Sequence, residues 1–289
     1  MPTHHLISDY LSVTIDSAGA EMHSIKTSQG QELLWQADES VWGRHAPHLF
    51  PIVGRLNDDT VKHNGGSYTM TQHGFARDME FTIESSSDNH CTLLLTENDE
   101  SKQRYPFKFA FRVHYELDKN TLRIGYDVTN SGEETLPFSV GAHPAFNWPL
   151  SDDADRSQHV IEFEHEEPAD IRQLDNGLLK PQGIPSPLDG KTLHLKDELF
   201  ELDALIFDQH KSREVVYKAD NAPTITVSFA DFPHLGIWTK PGAGFVCIEP
   251  WQGHSSGTDF RGEFSDKPGS IKLQAGEQRQ WWFSVKVSA

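Results

Sequence analysis

Three short stretches of this chain set a proton-transfer group beside residues that leave room for a ligand. Gly141-Ala142-His143-Pro144-Ala145-Phe146-Asn147 places a histidine between small residues and a proline. Gln72-His73-Gly74-Phe75-Ala76-Arg77 and Cys247-Ile248-Glu249-Pro250-Trp251-Gln252-Gly253 do the same for a second histidine and a glutamate. Pro144 fixes its own φ and restricts the backbone of His143, so that imidazole has a defined direction. Gly74 supplies a bend or lets a ligand approach the backbone. Glu249 closes the apolar run Phe245-Val246-Cys247-Ile248, where a carboxylate is costly to bury unless it is paired or used. A glutamate and a histidine, with ordinary pKa values of about 4.3 and 6.5, supply a base and an acid near neutrality if their environments separate them.

Each residue also has a plainer reading. His143 and His73 could bond a turn backbone, and Glu249 could be an exposed strand end. Trp251, Phe75 and Phe146 could fill core or stack on the apolar face of a sugar ring. Arg55 after Gly54, Arg77 at the end of its motif, and Asp203 before an apolar run could be surface charges or partners for hydroxyl groups. His45 and His48 stand three apart with no third ligand at a recognised interval and a proline between them, so no metal site is expected. His4, His5, His90, His159, His165 and His210 have polar neighbours and are expected in solvent, and His114 falls on the outward parity of its strand. Cys91 and Cys247 lie far apart in apolar runs without redox or metal spacing; two buried free thiols are expected.

The elements that must carry these groups are strands. Phe107, Phe109, Phe111, Val113, Tyr115 and Leu117 alternate with mostly polar residues, Asp118-Lys119-Asn120 breaks the run, and Leu122, Ile124, Tyr126 and Val128 resume it in the opposite parity. That pattern predicts a hairpin with one buried face. Shorter runs recur at Leu11–Ile15, Cys91–Thr96, Val160–Phe163, Glu214–Tyr217, Thr224–Phe229, Leu235–Thr239 and Trp281–Val287, separated by turn residues such as Asn64-Gly65-Gly66 and Pro241-Gly242. Helical periodicity is scarce; one short turn is expected around Lys196 to Leu202. The pattern predicts an all-β chain, a large antiparallel sandwich or barrel with few short helices, and one domain over residues 1–289. The polar segment Glu164–Lys191 reads as a surface excursion.

The 43 acidic residues outnumber the 25 basic ones, for a net charge of -18. That balance opposes nucleic acid and anionic membrane as partners. No apolar run is long enough for a transmembrane helix. Met1-Pro2-Thr3-His4-His5 has neither the basic nor the apolar region of a secretory signal, so a cytoplasmic location is expected.

Taken in order, the three stretches resemble the aldose 1-epimerase (mutarotase) family, in the bacterial branch carrying these HGFAR, GAHPAF and EPW blocks. The resemblance runs from about Leu6 to the final strand. It implies the galactose mutarotase-like supersandwich, a large antiparallel β-sandwich, and interconversion of sugar anomers by acid/base ring opening. By that resemblance Glu249 matches the catalytic base, His143 the acid, and His73 the histidine near the ring oxygen. Arg55 and Asp203 match hydroxyl-binding positions, with Arg77 and Trp251 completing the substrate set. A small sugar is the implied partner of a monomer or homodimer, and no cofactor or metal is required. The HGFAR block also occurs in hexose-6-phosphate epimerases, where Arg55 or Arg77 would clamp phosphate. A non-catalytic sugar-binding protein on the same fold is a further alternative. A cupin-like metal oxygenase would need clustered histidine and glutamate ligands.

Overall fold

The computed structural model describes residues 2–288. Two large antiparallel sheets dominate it. The hairpin read from the sequence is its longest-paired unit: Phe109–Asp118 and Thr121–Asn130 turn through Lys119 and Asn120, with Lys119 at φ 53°. Leu117 faces Leu122, Tyr115 faces Ile124 and Val113 faces Tyr126. The parity switch across the turn therefore puts both apolar sets on one face. This hairpin lies in a nine-stranded sheet ordered Thr192–His194, Val160–Phe163, Glu214–Lys218, Thr224–Ser228, Gln278–Ser288, Thr121–Asn130, Phe109–Asp118, His90–Thr96 and Thr82–Ser86.

An eight-stranded sheet packs against it. Its order is Leu178–Ile184, Ile171–Asp175, Leu205–Phe207, His234–Trp238, Phe245–Gln252, Val140–Ala142 and His48–Leu49, with Ala145–Asn147 paired to Phe245–Gln252 beside Val140–Ala142. All eight residues of Phe245–Gln252 are buried. Val246 and Ile248 join Leu235 and Ile237 in the core between the sheets, against Phe109, Phe111 and Val113. Phe245, Cys247 and Trp251 point to the opposite face, which carries two smaller apolar clusters. A strand buried on both faces reads as a continuous apolar run, which is how this one looks in sequence.

Inside the main core, His48 joins two tyrosines. Its Nδ1 is 2.8 Å from the Tyr126 hydroxyl and its Nε2 is 2.7 Å from the Tyr115 hydroxyl, which itself donates to Ala20 O at 2.8 Å. Tyr115 spends its proton on the carbonyl, so His48 Nε2–H donates and Nδ1 accepts from Tyr126. This histidine is a buried structural group.

Several expectations need correction. Glu164–Lys191 is not a mere excursion: Ile171–Asp175 and Leu178–Ile184 form the edge hairpin of the eight-stranded sheet. His159 is buried, accepting from Leu150 N–H at 3.0 Å, and His210 is buried, with Nδ1 2.8 Å from Ser212 O. Polar neighbours mark loops, and these loops fold back onto the sheets. The helical turn near Lys196 is a 3₁₀ turn, Asp197–Phe200, but an α-helix at Asp99–Arg104 went unread. Six residues are too few to show a period. Its signal is the capping box, in which Asn98 Oδ1 accepts from Ser101 N–H and Ser101 Oγ accepts from Asn98 N–H. Cys91 and Cys247 are free and buried as expected.

Candidate active site

Register brings the first and third sequence stretches together. Gly141 pairs with Trp251, and Ala145 pairs with Cys247, on either side of a break at His143-Pro144. Pro144 has no N–H to give the ladder, yet its carbonyl still accepts from Ile248 N–H at 3.3 Å. The register is the same before and after the break, so His143 falls opposite Glu249. Their side chains meet: His143 Nε2 lies 3.2 Å from Glu249 Oε2. On the other flank Glu249 faces Gly236.

Glycines on the flanking strands make room for the Trp251 ring. A Cβ on Gly141 would stand 2.7 Å from Trp251 Cδ1, and one on Gly236 would stand 2.5 Å from Trp251 Cη2. The indole lies flat across its two neighbouring strands because neither carries a side chain there. The second stretch is tied in by a tight turn. His73 and Gly74 both have positive φ, at 68° and 76°. His73 N–H donates to Gly54 O at 2.8 Å, and Gly54 N–H donates to His73 Nδ1 at 3.1 Å. Nδ1 is therefore an acceptor and the ring proton sits on Nε2. That Nε2 lies 3.3 Å from the Gln72 side-chain amide; two donors cannot bond, so the amide presents its oxygen.

His143, Glu249, Trp251, Gln72 and His73 line a cavity of about 370 Å³ together with Gly54, Arg77, Asp203, Trp42, Trp238 and Ser255, within the size range of small-molecule sites. Trp42 stacks on His143 at 5.1 Å and Trp238 meets it edge-on at 5.6 Å. His73 stands at a right angle to His143, 5.5 Å away. Arg77 donates to Gln72 O at 2.7 Å, and its buried Nε has no partner.

Burial and charge set the resting protonation. The Glu249 carboxyl is pushed well above its ordinary value by burial and then by the Asp203 carboxylate. The Trp251 indole N–H opposes this, but it reaches no acceptor at good hydrogen-bond geometry. His143 is pushed down to about 3 by burial and then by the Arg77 guanidinium. His73 is pushed well down by burial, then by His143 and Arg77. Asp203 is raised by the cavity walls, with Ala204 N–H opposing. Burial therefore disfavours charge on Glu249, His143 and His73 alike.

A stability prediction follows from the histidines. Burial lowers His48 to about 4, and His143 and His234 to about 3, whereas in the unfolded chain each protonates near 6.5. Below that pH the unfolded state binds more protons, so their contribution is intact above about 6.5 and is lost as pH falls toward the folded values. Each such histidine costs up to about 1.4 kcal/mol per pH unit in that window. Glu249 is raised and acts with the opposite sign, one group against several. The thermal midpoint is expected to fall steadily from pH 6.5 to 4.5 by calorimetry; a level midpoint would mean that these imidazoles are charged in the fold.

The structure brings together Glu249, His143, His73, Arg77, Asp203 and Trp251. It places Arg55 elsewhere. The Arg55 guanidinium forks onto Asp59 at 2.7 and 2.8 Å and donates to Asn176 O at 3.1 Å, outside the cavity lining. An acid four residues on claimed it, while its neighbour Gly54 faces the cavity. Phe75 and Phe146 fill core. Sequence reading missed Trp42, Trp238 and Ser255. Trp42 lies in an irregular segment with no period to betray it. Cys247 reads in sequence as a buried thiol, and its spacing of two from Glu249 along a strand puts both on one face.

Comparison with known proteins agrees with this architecture. Residues 2–286 match the family model for aldose 1-epimerase. The chain is 36% identical over 282 residues to the chromosomal LacX protein of Lactococcus lactis subsp. lactis, covering 94% of each. A crystal structure of a galactose mutarotase related enzyme from Lactobacillus acidophilus superposes with a TM-score of 0.94 at 35% identity, over 100% of this chain and 98% of that one. A galactose mutarotase-like protein from Lactobacillus casei gives 0.90 at 28% identity, over 99% and 100%.

Proposed function

We propose that this chain, which belongs to the aldose 1-epimerase family, interconverts the α and β anomers of an unphosphorylated aldohexose by acid/base ring opening and closing. The observation that carries the reading is the Glu249–His143 pair, 3.2 Å apart on the wall of a sugar-sized cavity. Binding alone needs hydrogen bonds and stacking. A matched proton donor and acceptor is what ring opening needs.

A single proton on the pair, resting on the carboxyl, suits the cycle. Moving it from Glu249 to His143 gives the ionised form, with no change in net charge. Glu249 then takes the proton of the anomeric hydroxyl while His143 protonates the ring oxygen, and the C1–O5 bond breaks to leave an aldehyde. The site is now uncharged again, the state that burial favours, so the walls stabilise the open-chain stage. Rotation about C1–C2 and the reverse transfers close the ring on the other face. Arg77 and Asp203 are placed to bond hydroxyls, the His73 Nε2–H joins them when a hydroxyl displaces the exposed Gln72 amide, and Trp251 with Trp42 offers aromatic surface to the ring. Arg77 is the one lysine or arginine among the described residues lining the cavity. A single cation leaves a phosphate, with a charge of about -1.5 to -2 near neutrality, incompletely matched, which favours a neutral sugar over a phosphorylated one.

The test is the approach of fresh α-glucose and α-galactose to anomeric equilibrium, followed by NMR, with wild type and His143→Ala. Acceleration by the wild type alone supports the reading and ranks the sugars. Acceleration confined to glucose 6-phosphate would select the phosphosugar reaction, and none with any sugar would leave a binding protein. Loss of one charged hydrogen bond costs about 1.5–3 kcal/mol, so Arg77→Ala should raise KM about tenfold or more. Arg55→Ala should change it by less than about threefold, because that guanidinium is engaged by Asp59; a larger rise for Arg55→Ala would return it to the substrate set.

A further inference from the structure

We infer that His143 and Glu249 on the cavity wall, with the buried Cys247 next to them, are also a binding site for zinc-like divalent cations, and that occupancy blocks proton transfer. Cys247 and Glu249 are two apart on one strand and emerge on the same face, and His143 stands opposite Glu249. One ligand atom from each of the three lies within 4.8 Å of the others. His143 Nε2 and Glu249 Oε2 are 3.2 Å apart, close to the edge of about 3.3 Å that a tetrahedron with Zn–N and Zn–O bonds of about 2.0–2.2 Å requires.

The donors are unspent. Glu249 is 1% exposed, and its Oε2 is buried without a hydrogen-bond partner. Cys247 is a free thiol and is fully buried. Zinc would displace the thiol and carboxyl protons to solvent, and the two resulting anions would cancel its charge. A neutral cluster of that kind suits a buried setting that disfavours either anion alone. Sulfur, imidazole and carboxylate together select zinc or cobalt over magnesium or calcium. Two of the three donors, His143 and Glu249, line the cavity, so a fourth ligand would come from water or a hydroxyl group there. With the metal in place, neither His143 Nε2 nor Glu249 Oε2 is free to carry a proton, so the cation competes with the sugar.

The experiment titrates the full chain with cobalt(II), and follows near-ultraviolet thiolate-to-cobalt absorption, in wild type, Cys247→Ser and Cys91→Ser. One equivalent should develop the absorption in wild type and Cys91→Ser, zinc should displace it, and Cys247→Ser should lack it. This readout stands whether or not the protein turns over sugar. In the anomer assay zinc should inhibit competitively, with half-inhibition shifted about tenfold or more by Cys247→Ser. Circular dichroism checks that the variant is folded, and His143→Ala, which should weaken the absorption, serves if it is not. Wild type without thiolate absorption overturns the inference on its own. So does zinc binding unchanged in Cys247→Ser, which would place the metal on surface histidines.

Discussion

Glu249→Gln is expected to slow anomer interconversion by about 10²–10⁴-fold, the range supplied by one positioned proton-transfer group. The amide keeps the shape of the carboxyl among Gly236, Trp251 and His143, so the fold should be retained. It cannot accept the anomeric proton or exchange one with His143. His143→Ala should fall in the same range, and the double variant should be little worse than either single one. In the proposed cycle the two residues pass one proton between them and act as a unit, so their losses should not add. Rates of α-glucose equilibration by NMR decide it. A fully active, folded Glu249→Gln protein would remove Glu249 as the base; additive losses would mean that the two groups act separately.

The second large effect is on stability, at Gly74. Its Cβ would stand 2.2 Å from Phe50 O, and its φ is +76°. The Phe50 carbonyl accepts from both Phe75 N–H and Ala76 N–H at 3.1 Å, so it cannot move without releasing the turn. Left-handed backbone costs an alanine about 1–2 kcal/mol, and overpacking adds about 1–3 kcal/mol. Gly74→Ala should therefore lose about 2–5 kcal/mol in urea unfolding. It should also lose activity, because His73 and Gly54 are held by the same turn. Gly65 is the control: its φ is +75° and a Cβ there would meet nothing within 4 Å. Gly65→Ala should cost only the backbone share, about 1–2 kcal/mol. Equal losses at the two sites would show that the Phe50 contact relaxes freely.

Local physics carried much of this structure. Period-two burial requires only that one face of a strand meet a core, so the hairpin Phe109–Asp118 with Thr121–Asn130 was legible residue by residue, parity switch included. Gly74 beside His73, Pro144 beside His143, and a glutamate closing an apolar run marked the positions where chemistry was conceivable. The ordered trio of motifs identified the family.

What faces what was decided by tertiary structure. The meeting of His143 with Glu249 depends on a ladder register maintained across a break at Pro144, and nothing near either residue encodes that register. Arg55 went to Asp59 rather than to the cavity, and Trp42 reached His143 from a segment without periodicity. His159 and His210 lie in polar sequence yet are buried. Even the shifted carboxyl of Glu249 is a property of the assembled site, since the burial and the Asp203 charge that raise it come from distant parts of the chain. Alternation reports which side of a strand is apolar; it carries no information on which distant strand or loop will cover that side. That pairing is fixed only when the long-range contacts form, and the site's chemistry is fixed with it.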